Sequence, residues 1–303
     1  MKTRMSVKTK IDIHADDFGE SVCASEDILN CLKAGKLDSI SVLANMSCFK
    51  SCVERYREEE INFPQRPKIS VHLNFMEGSC LSDPEILPGL VDTDGHFCIS
   101  WGKLFLQSFL PGRKKMQEQL QNEMELQILE VKKAFPELTR LRFDSHQHTH
   151  MIPVVASALF EVIKKNNLEV EYIRDSREPM LPFLKEISLY KTYRPVNFVK
   201  NMILNFCSWL LKGKFQKMGL NPMYLWGLIM SGHMDEKRVR ILLPRMNKEA
   251  EKRGRTLEIL FHPGQVQKTE ITAEFSQKEA IEFHISEDRH VEMQAVMNLG
   301  EPV

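Results

Sequence analysis

The chain has 303 residues, of which 43% are hydrophobic and 27% charged, a composition typical of a globular protein with an extensive core. Its 41 Lys and Arg residues balance 41 Asp and Glu residues, which excludes a global charge that would attract nucleic acid or an anionic membrane. Seven Cys without a Cys-x-x-Cys pair indicate neither a zinc knuckle nor a disulfide framework. We expect most of them to be small buried residues in a reducing compartment. Residues 1–8 are basic and lack the apolar stretch of a secretory signal, so we predict a cytoplasmic protein.

Hydrophobic periodicity divides the chain into strands that alternate with helices. This alternation predicts an α/β fold with a mainly parallel sheet and outer helices. No internal repeat, low-complexity tract or linker interrupts the pattern, so we expect a single domain over residues 1–303. The predicted strands cover residues 11–15, 39–44, 69–75, 141–143, 169–174 and 257–261, and the predicted helices cover residues 24–34, 49–60, 114–135, 154–166, 236–253 and 286–298.

Two segments depart from this alternation. Residues 76–112 are rich in Gly, Pro, Asp and Ser and predict a long excursion with little regular structure, which is typical of a binding loop. Residues 196–230 predict a helical insertion that begins with a strongly apolar stretch, 196–211. This stretch is shorter than the roughly 20 residues of a membrane span. We expect it to pack on the sheet or cover the site, with its aromatic and Leu side chains buried and its Lys side chains in water. A membrane-surface helix is the alternative.

A histidine-rich run, Asp144-Ser-His-Gln-His-Thr-His150, follows the fourth predicted strand. If the strand continues, its period of two places Arg142, Asp144, His146 and His148 on one face. A carboxylate and two imidazoles at the end of a strand could bind a metal or carry protons. The alternative is a solvated polar loop.

Three other predicted strands also end in polar residues: Asp16-Asp17, His72 with Asn74, and His262. In a parallel barrel the carboxyl ends of the strands converge on one mouth, so we expect these four positions to meet. Each alone also fits a simpler interpretation, such as an Asx turn or an interior histidine.

The expected chemistry is that of a metal-assisted hydrolase. One Asp and two imidazoles can hold a divalent cation and leave room for water and substrate. Nitrogen-rich ligation suits Zn, Mn or Fe better than Mg, although it does not exclude Mg. A neighbouring carboxylate could accept a proton, and a His from another strand could protonate a leaving group.

Four segments resemble the YdjC-like (ChbG) family of carbohydrate deacetylases: ADDFG at 15–19, VHLN at 71–74, DSHQHTH at 144–150 and EILFHPG at 258–264. The resemblance implies an irregular (β/α) TIM-like barrel and a divalent metal, Mg²⁺ in this family, used to remove acetyl groups from N-acetylated sugars such as chitooligosaccharides. His14 stands where the family often has Asn. Residues 76–112 show no family signature, which leaves the sugar specificity open.

Carried over to this chain, the resemblance implies specific roles for the residues at the strand ends. It implies that Asp16 is the base and that His262 is the acid for the departing amine. The remaining roles form two sets. The metal would be held by Asp17, His72 and His146, and the substrate-binding or supporting residues would be Asn74, Asp144, His148, Arg174 and Glu258.

We therefore predict a metal-dependent deacetylase in which metal-bound water attacks the amide of an N-acetylated sugar. The first alternative is a barrel metallohydrolase that acts on another bond, such as a phosphoester. A non-catalytic, metal-stabilised sugar-binding relative is the second. We expect no nucleic-acid or membrane partner, and the sequence leaves a homodimer open.

Overall fold

The computed structural model describes residues 10–220 and 222–299, so the basic residues 1–8 lie outside the described part of the chain. Strands and helices alternate along the first half of the chain. The strands are β1 Ile11–Phe18, β2 Ser39–Val42, β3 Lys68–Leu73, β4 Leu141–Ser145, β5 Val170–Ile173, β6 Tyr224–Trp226 and β7 Leu257–Phe261. The helices are α1 Val22–Lys33, α2 Phe49–Glu59, α3 Trp101–Gln107, α4 Arg113–Ala134, α5 Pro153–Lys165, α6 Leu181–Leu184, α7 Pro195–Lys217, α8 Glu236–Lys252, α9 Lys278–His284 and α10 Glu287–Asn298.

The seven strands form one parallel sheet in the order β5-β4-β3-β2-β1-β7-β6. An α/β fold with a parallel sheet and helices, as predicted, is therefore confirmed. The hydrogen bonds between β5 and β6 that a closed barrel requires are absent among the described strands. The sheet is a curled half-barrel, and a complete TIM barrel is not observed.

A side-chain contact across the sheet demonstrates the curl. Arg174, the residue after β5, lies with its Nε 2.9 Å from Glu258 Oε1 on β7. Five strand steps separate β5 from β7, which in a flat sheet would be about 24 Å at about 4.8 Å per step. The curl therefore brings strands from opposite halves of the sheet to a common interior.

This interior is polar on the side that carries the site. On β1 the alternation places Asp12, His14 and Asp16 on the inner face, where all three are buried. His14 contacts the hydroxyl groups of Ser39 and Ser41 on β2 at 2.7 and 2.6 Å. Because buried polar groups need hydrogen-bond partners, the inner residues of neighbouring strands are tied to one another.

Beyond β4 the predicted alternation is wrong. The strand ends at Ser145, and residues His146–Met151 form a 3₁₀ segment. Within it Gln147 and His148 adopt left-handed backbone angles, with φ of 52° and 58°. His146 and His148 therefore do not continue the face that begins at Arg142 and Asp144, because the period of two applies only to extended backbone.

The two irregular segments contain more regular structure than the sequence predicts. Residues 76–112 include two isolated β-bridges, a 3₁₀ turn at Pro84–Ile86 and α3. The range 196–230 includes β6, a strand of the main sheet that is too short to show a period in the sequence. Of the seven unpaired cysteines, only Cys31, Cys52 and Cys207 are buried, so the expectation that most are buried is wrong.

Helix α7 differs from the prediction in which side chains it buries. Leu204 and Leu211 are buried, but Phe206 and Trp209 are 46% and 68% exposed. The prediction that its aromatic and Leu positions are buried is thus only half right. Within the described ranges, no helix combines the length and hydropathy needed to cross a bilayer.

Candidate metal centre and active-site cleft

The end of β1 separates two neighbouring carboxylates. The register of β1 against β2 shifts between Ala15 and Phe18, and Asp17 has a φ of 71°. Such a left-handed conformation is uncommon outside Gly, although Asp tolerates it better than most residues. The bulge sends Asp16 towards Arg174 and Asp17 towards a different set of partners, so the two groups can do different chemistry.

Asp17 meets two histidines, His72 on β3 and His146 in the 3₁₀ segment after β4. Its Oδ1 lies 3.0 Å from Nδ1 of His146 and 3.4 Å from Nε2 of His72. One ligand atom from each of the three residues lies within 4.8 Å of the others, and all three residues are buried. Ligands bonded at about 2.1 Å to one divalent ion stand about 3.0–3.4 Å apart in octahedral or tetrahedral geometry. This donor set therefore fits a divalent metal ion.

Each histidine of this trio has its second nitrogen held by a carboxylate. Nδ1 of His72 lies 2.6 Å from Asp144 Oδ1, and Nε2 of His146 lies 3.1 Å from Glu77 Oε2. Such partners fix the orientation and tautomer of metal-binding imidazoles. Burial opposes ionisation of Glu77, but hydrogen bonds from the two neighbouring imidazoles, His146 and His284, lower its pKa to about 2.

The same carboxylates make the imidazoles basic. Burial opposes a charge on His72, but the Asp16 carboxylate and the hydrogen bond to Asp144 raise its pKa to about 9. Burial also opposes a charge on His146, while Asp17 and Glu77 raise its pKa to about 10. Both rings are therefore in the doubly protonated, cationic form at neutral pH when no metal is bound.

Arg174 organises the floor of the site. Its two terminal nitrogens each donate to Asp16 at 2.8 Å, and Nη2 also lies 3.2 Å from Asp144 Oδ2. Its Nε donates to Glu258, whose other oxygen accepts from the Tyr172 hydroxyl. Burial opposes ionisation of Asp16, but the guanidinium charge holds the pKa of Asp16 well below its usual range.

Four charged or titratable residues next to the trio were not predicted: Glu20, Glu77, His284 and Arg289. Arg289 donates to Asp17 Oδ2 at 3.0 Å and to Glu20 at 3.2 Å, and His284 lies 2.8 Å from both Glu20 and Glu77. Burial opposes a charge on His284, but Glu20 and Glu77 raise its pKa to about 9.

Glu20, Glu77, His146 and His284 are also close enough to one another to hold an ion, but Glu20 already pairs with Arg289, and Glu77 already pairs with the two imidazoles. We therefore interpret them as an ion-pair network that supports Asp17 and His146.

No strand-end signal points to these four residues. His284 and Arg289 come from the C-terminal helices α9 and α10, where an isolated charged residue is indistinguishable from a solvated one. Glu77 lies in the turn after β3. Asn74 shapes that turn by accepting from the backbone of Met76 and Glu77 and donating to the carbonyl of Glu77, at 2.8–3.2 Å. Asn74 thus positions Glu77 and does not line the cleft.

The trio opens into a cleft of about 910 Å³. The cleft is lined by Asp16, Asp17 and both histidines of the trio, together with His148, His262 and Trp101. Of the predicted supporting residues, His148 lies on its wall, whereas Asp144, Arg174 and Glu258 lie beneath it, fully buried. The curl of the sheet therefore brings together all four predicted strand ends, three at the metal-binding set and His262 on the wall.

His262 is held by residues from α9 and α10. Its backbone N–H donates to Glu292 at 2.7 Å, its Nδ1 lies 3.6 Å from the same carboxylate, and its ring packs edge-on against Phe283. The side chain is 14% exposed, so it is fixed in place yet accessible from the cleft.

A family model for YdjC-like proteins matches residues 10–299, so the chain belongs to the YdjC-like family. A protein of Danio rerio named carbohydrate deacetylase is 28% identical over 58% of this chain and 52% of its own length. A protein of the same name from Thermoanaerobacter pseudethanolicus is 30% identical over 52% of this chain and 58% of its own. These alignments thus span little more than half of the curated relatives.

A crystal structure of an Enterococcus faecalis protein, provisionally named for cellobiose-phosphate cleavage, has the same fold. It superposes with a TM-score of 0.61 and covers 96% of this chain and 94% of its own, at 18% identity. At this identity the similarity establishes the fold alone.

Replacing His146 with Ala should reduce metal binding. The trio loses one of its three ligands. Loss of a residue that only supports a ligand typically weakens metal binding about 10–100-fold, and loss of a ligand itself should weaken it more. His148→Ala is the matched control, because His148 lies in the same segment and cleft but outside the trio. Bound Mn²⁺ or Zn²⁺ is measured by mass spectrometry after equilibration. Full metal content in the His146→Ala protein would refute the assignment.

Metal binding should tighten as pH rises. The metal must displace the protons on His72 and His146, whose pKa values are about 9 and 10, so proton competition weakens binding throughout the range below them. The apparent affinity should change by about tenfold per pH unit for each proton displaced. Calorimetric titration with Mn²⁺ at several pH values, in buffers of different ionisation enthalpy, measures the affinity and the number of protons released on binding. An affinity independent of pH would show that both rings are neutral in the metal-free protein.

Proposed function

We propose that this protein is a metal-dependent hydrolase that removes the acetyl group from N-acetylated sugars or oligosaccharides. The observation that carries the proposal is a metal-binding trio, Asp17, His72 and His146, with a further carboxylate, Asp16, beside it in one cleft. The names of the curated relatives support the same activity. We further propose that residues 1–303 form one domain, an irregular TIM-like barrel that is open between β5 and β6.

The trio would hold one divalent ion, Mg²⁺ by family resemblance or Zn²⁺ or Mn²⁺ by ligand type. A bound ion supplies Lewis acidity, which polarises an amide carbonyl and lowers the pKa of water. The chain itself keeps this centre in place. Arg289 holds the second oxygen of Asp17, while Asp144 and Glu77 hold the second nitrogens of the histidines.

Asp16 is the proposed general base. Both of its oxygens accept hydrogen bonds from Arg174, and it stays ionised because its pKa is far below the usual range. That pairing orients the carboxylate and also makes it a weak base. Asp16 would need to accept a proton only from water made more acidic by a divalent ion held at the trio.

His262 is the proposed general acid. Collapse of the tetrahedral intermediate expels an amine, which is a poor leaving group unless it is protonated. His262 lines the cleft, and its backbone is anchored by Glu292. An imidazole fixed in this way can deliver a proton to the departing nitrogen.

Trp101 is proposed to be a platform for a sugar ring. It lies on the cleft wall, its Nε1 donates to the Gln147 carbonyl at 3.2 Å, and its ring stacks on Phe105. These contacts hold the ring rigidly where an apolar sugar face can pack on it. His148 on the same wall is the proposed polar contact to the substrate.

The two arginines at the predicted strand ends, Arg142 and Arg174, are not free to bind a phosphoester, although Arg194 and Lys200 line the cleft. Phosphate sites present free Arg or Lys side chains. Arg174 is occupied by three carboxylates beneath the cleft, and Arg142 packs over the Tyr172 ring and pairs with Glu171. Asp16 lines the cleft beside the trio without being one of its ligands, as a general base would, which favours a catalytic protein over a non-catalytic sugar-binding relative.

Acetate release from a panel of N-acetylated mono- and oligosaccharides, with and without chelator, tests the proposed function. The wild type should release acetate only without chelator. Asp16→Asn should keep its metal and lose about 10²–10⁴-fold in turnover, as expected for a general base. Asp17→Asn should lose metal as well. A metal-loaded protein that binds these sugars without releasing acetate would favour the non-catalytic sugar-binding alternative. Release of phosphate from phosphoesters would favour the alternative of a metallohydrolase that acts on phosphoesters.

The role of His262 is tested by changing the leaving group. His262→Ala should lose much more activity on an N-acetyl amide than on an activated acetate ester, because the ester needs no proton on its leaving group. Metal content should not change. Equal losses on both substrates would instead assign His262 to stabilisation of the oxyanion, a step common to both reactions.

A further inference from the structure

Helix α7 has two apolar faces. One packs on the protein through buried residues that include Leu204, Cys207, Leu211 and Phe215. The opposite face carries an outward stripe, 40–68% exposed, made by Val199, Met202, Phe206, Trp209 and Leu210. At 100° per residue these five positions fall on one side of the helix. An amphipathic surface helix normally presents polar residues on that side.

The stripe has aromatic side chains at its centre. The rings of Phe206 and Trp209 stack with centroids 5.9 Å apart and planes 25° from parallel. Trp209 is the most exposed of the five residues, at 68%. Side chains of this kind sit well at the boundary between water and lipid, since the indole combines an apolar body with a polar N–H.

The charge on α7 is of one sign. The helix contains four Lys and no acidic residue, and three of the Lys, Lys212, Lys214 and Lys217, follow the stripe in its last turns. Burial, and next the nearby charge of Arg113 at the start of α4, lower the pKa of Lys214. Arg113 thus adds a positive charge near Lys214, and Glu161 on α5 adds a negative one.

We propose that the outward stripe of α7, with the lysines at its C-terminal end, docks on the surface of an anionic lipid bilayer. Exposed aromatic and aliphatic side chains next to several Lys and Arg are the pattern of interfacial helices, which combine apolar insertion with attraction to anionic headgroups. A second copy of this chain is a poorer occupant, because pairing two such faces would bring positive charges together without an acidic residue on either α7.

Docking would place α7 between the cleft and the lipid, because the cleft-lining residue Leu204 lies on the face opposite the stripe. Asn197, Lys200 and Leu204 in the first half of α7 line the cleft that contains the metal-binding trio. The same helix therefore carries both a wall of the cleft and the outward stripe. The expectation of no membrane partner rests on the balanced net charge, and this proposal departs from it because α7 separates charge and apolar surface locally.

Co-sedimentation of the full-length protein with vesicles tests the proposal. Vesicles of phosphatidylcholine mixed with phosphatidylglycerol should bind the protein, and binding should fall with added salt, because exposed charges are screened. Pure phosphatidylcholine vesicles should bind much less. Trp209 fluorescence should shift to the blue on binding, as the exposed indole enters a less polar environment. Absence of binding to the anionic vesicles at low salt would overturn the proposal.

Two pairs of variants make the test specific. Phe206→Ser with Trp209→Ser should abolish sedimentation, whereas Ile61→Ser, at a site 87% exposed on another surface, should not. Lys212→Glu with Lys217→Glu should weaken binding by well over tenfold, since each Lys near an anionic surface contributes about fivefold. Lys132→Glu with Lys133→Glu, at exposed positions on α4, is the matched control.

Folding and assembly are checked in the same variants. All the substituted side chains are exposed, so thermal unfolding and acetate release from soluble substrates should match the wild type. If light scattering instead showed a dimer that Phe206→Ser with Trp209→Ser dissociates, the stripe would be a self-interface and the lipid proposal would be wrong.

Discussion

The fully buried guanidinium of Arg174 is the interaction on which the site depends. It contacts carboxylates from β1, β4 and β7, namely Asp16, Asp144 and Glu258, and thereby links strands that the sheet order places far apart. Removing one partner of a buried ion pair typically costs about 3–5 kcal/mol, because the remaining charge is left uncompensated. The curl of the sheet, the ionised state of Asp16 and the orientation of the His72 partner Asp144 therefore depend on one another. Fold and site cannot be separated at this residue.

A second cation performs the same task on the other side of the metal-binding trio. Arg289 pairs with Asp17 and Glu20, as Arg174 pairs with Asp16. The backbone bulge at Asp17 is what allows neighbouring carboxylates to have different partners. One is bound on both oxygens by a permanent cation, whereas the other has one oxygen held and one directed at two imidazoles. Two identical side chains thus acquire different proton and metal affinities from their surroundings alone.

The sequence predicted what depends on periodicity and on strand ends. The alternation in β3 places His72 on the inner face, and the polar residues at the ends of β1, β4 and β7 lie where a parallel sheet directs them. Prediction failed where the backbone leaves regular geometry. The left-handed residues after β4 re-aim His148, and no residue type in that run signals the change. The supporting residues on α9 and α10 were also not predicted, because their role arises from long-range packing and leaves no local pattern in the sequence.

The polar interior of the half-barrel has a consequence for how this protein can change. His14 alone joins hydroxyl groups of β2 to the same carboxylate that Arg174 binds, so the inner residues form one connected set. A single substitution there leaves a buried charge or hydrogen-bond donor without its partner, whereas simultaneous replacement by well-packed apolar residues is often neutral or stabilising. Selection for stability alone would therefore favour erasing this network as a block. Residues of this interior can therefore change only together. Substitutions intended to raise thermal stability should instead be made on the outer helices.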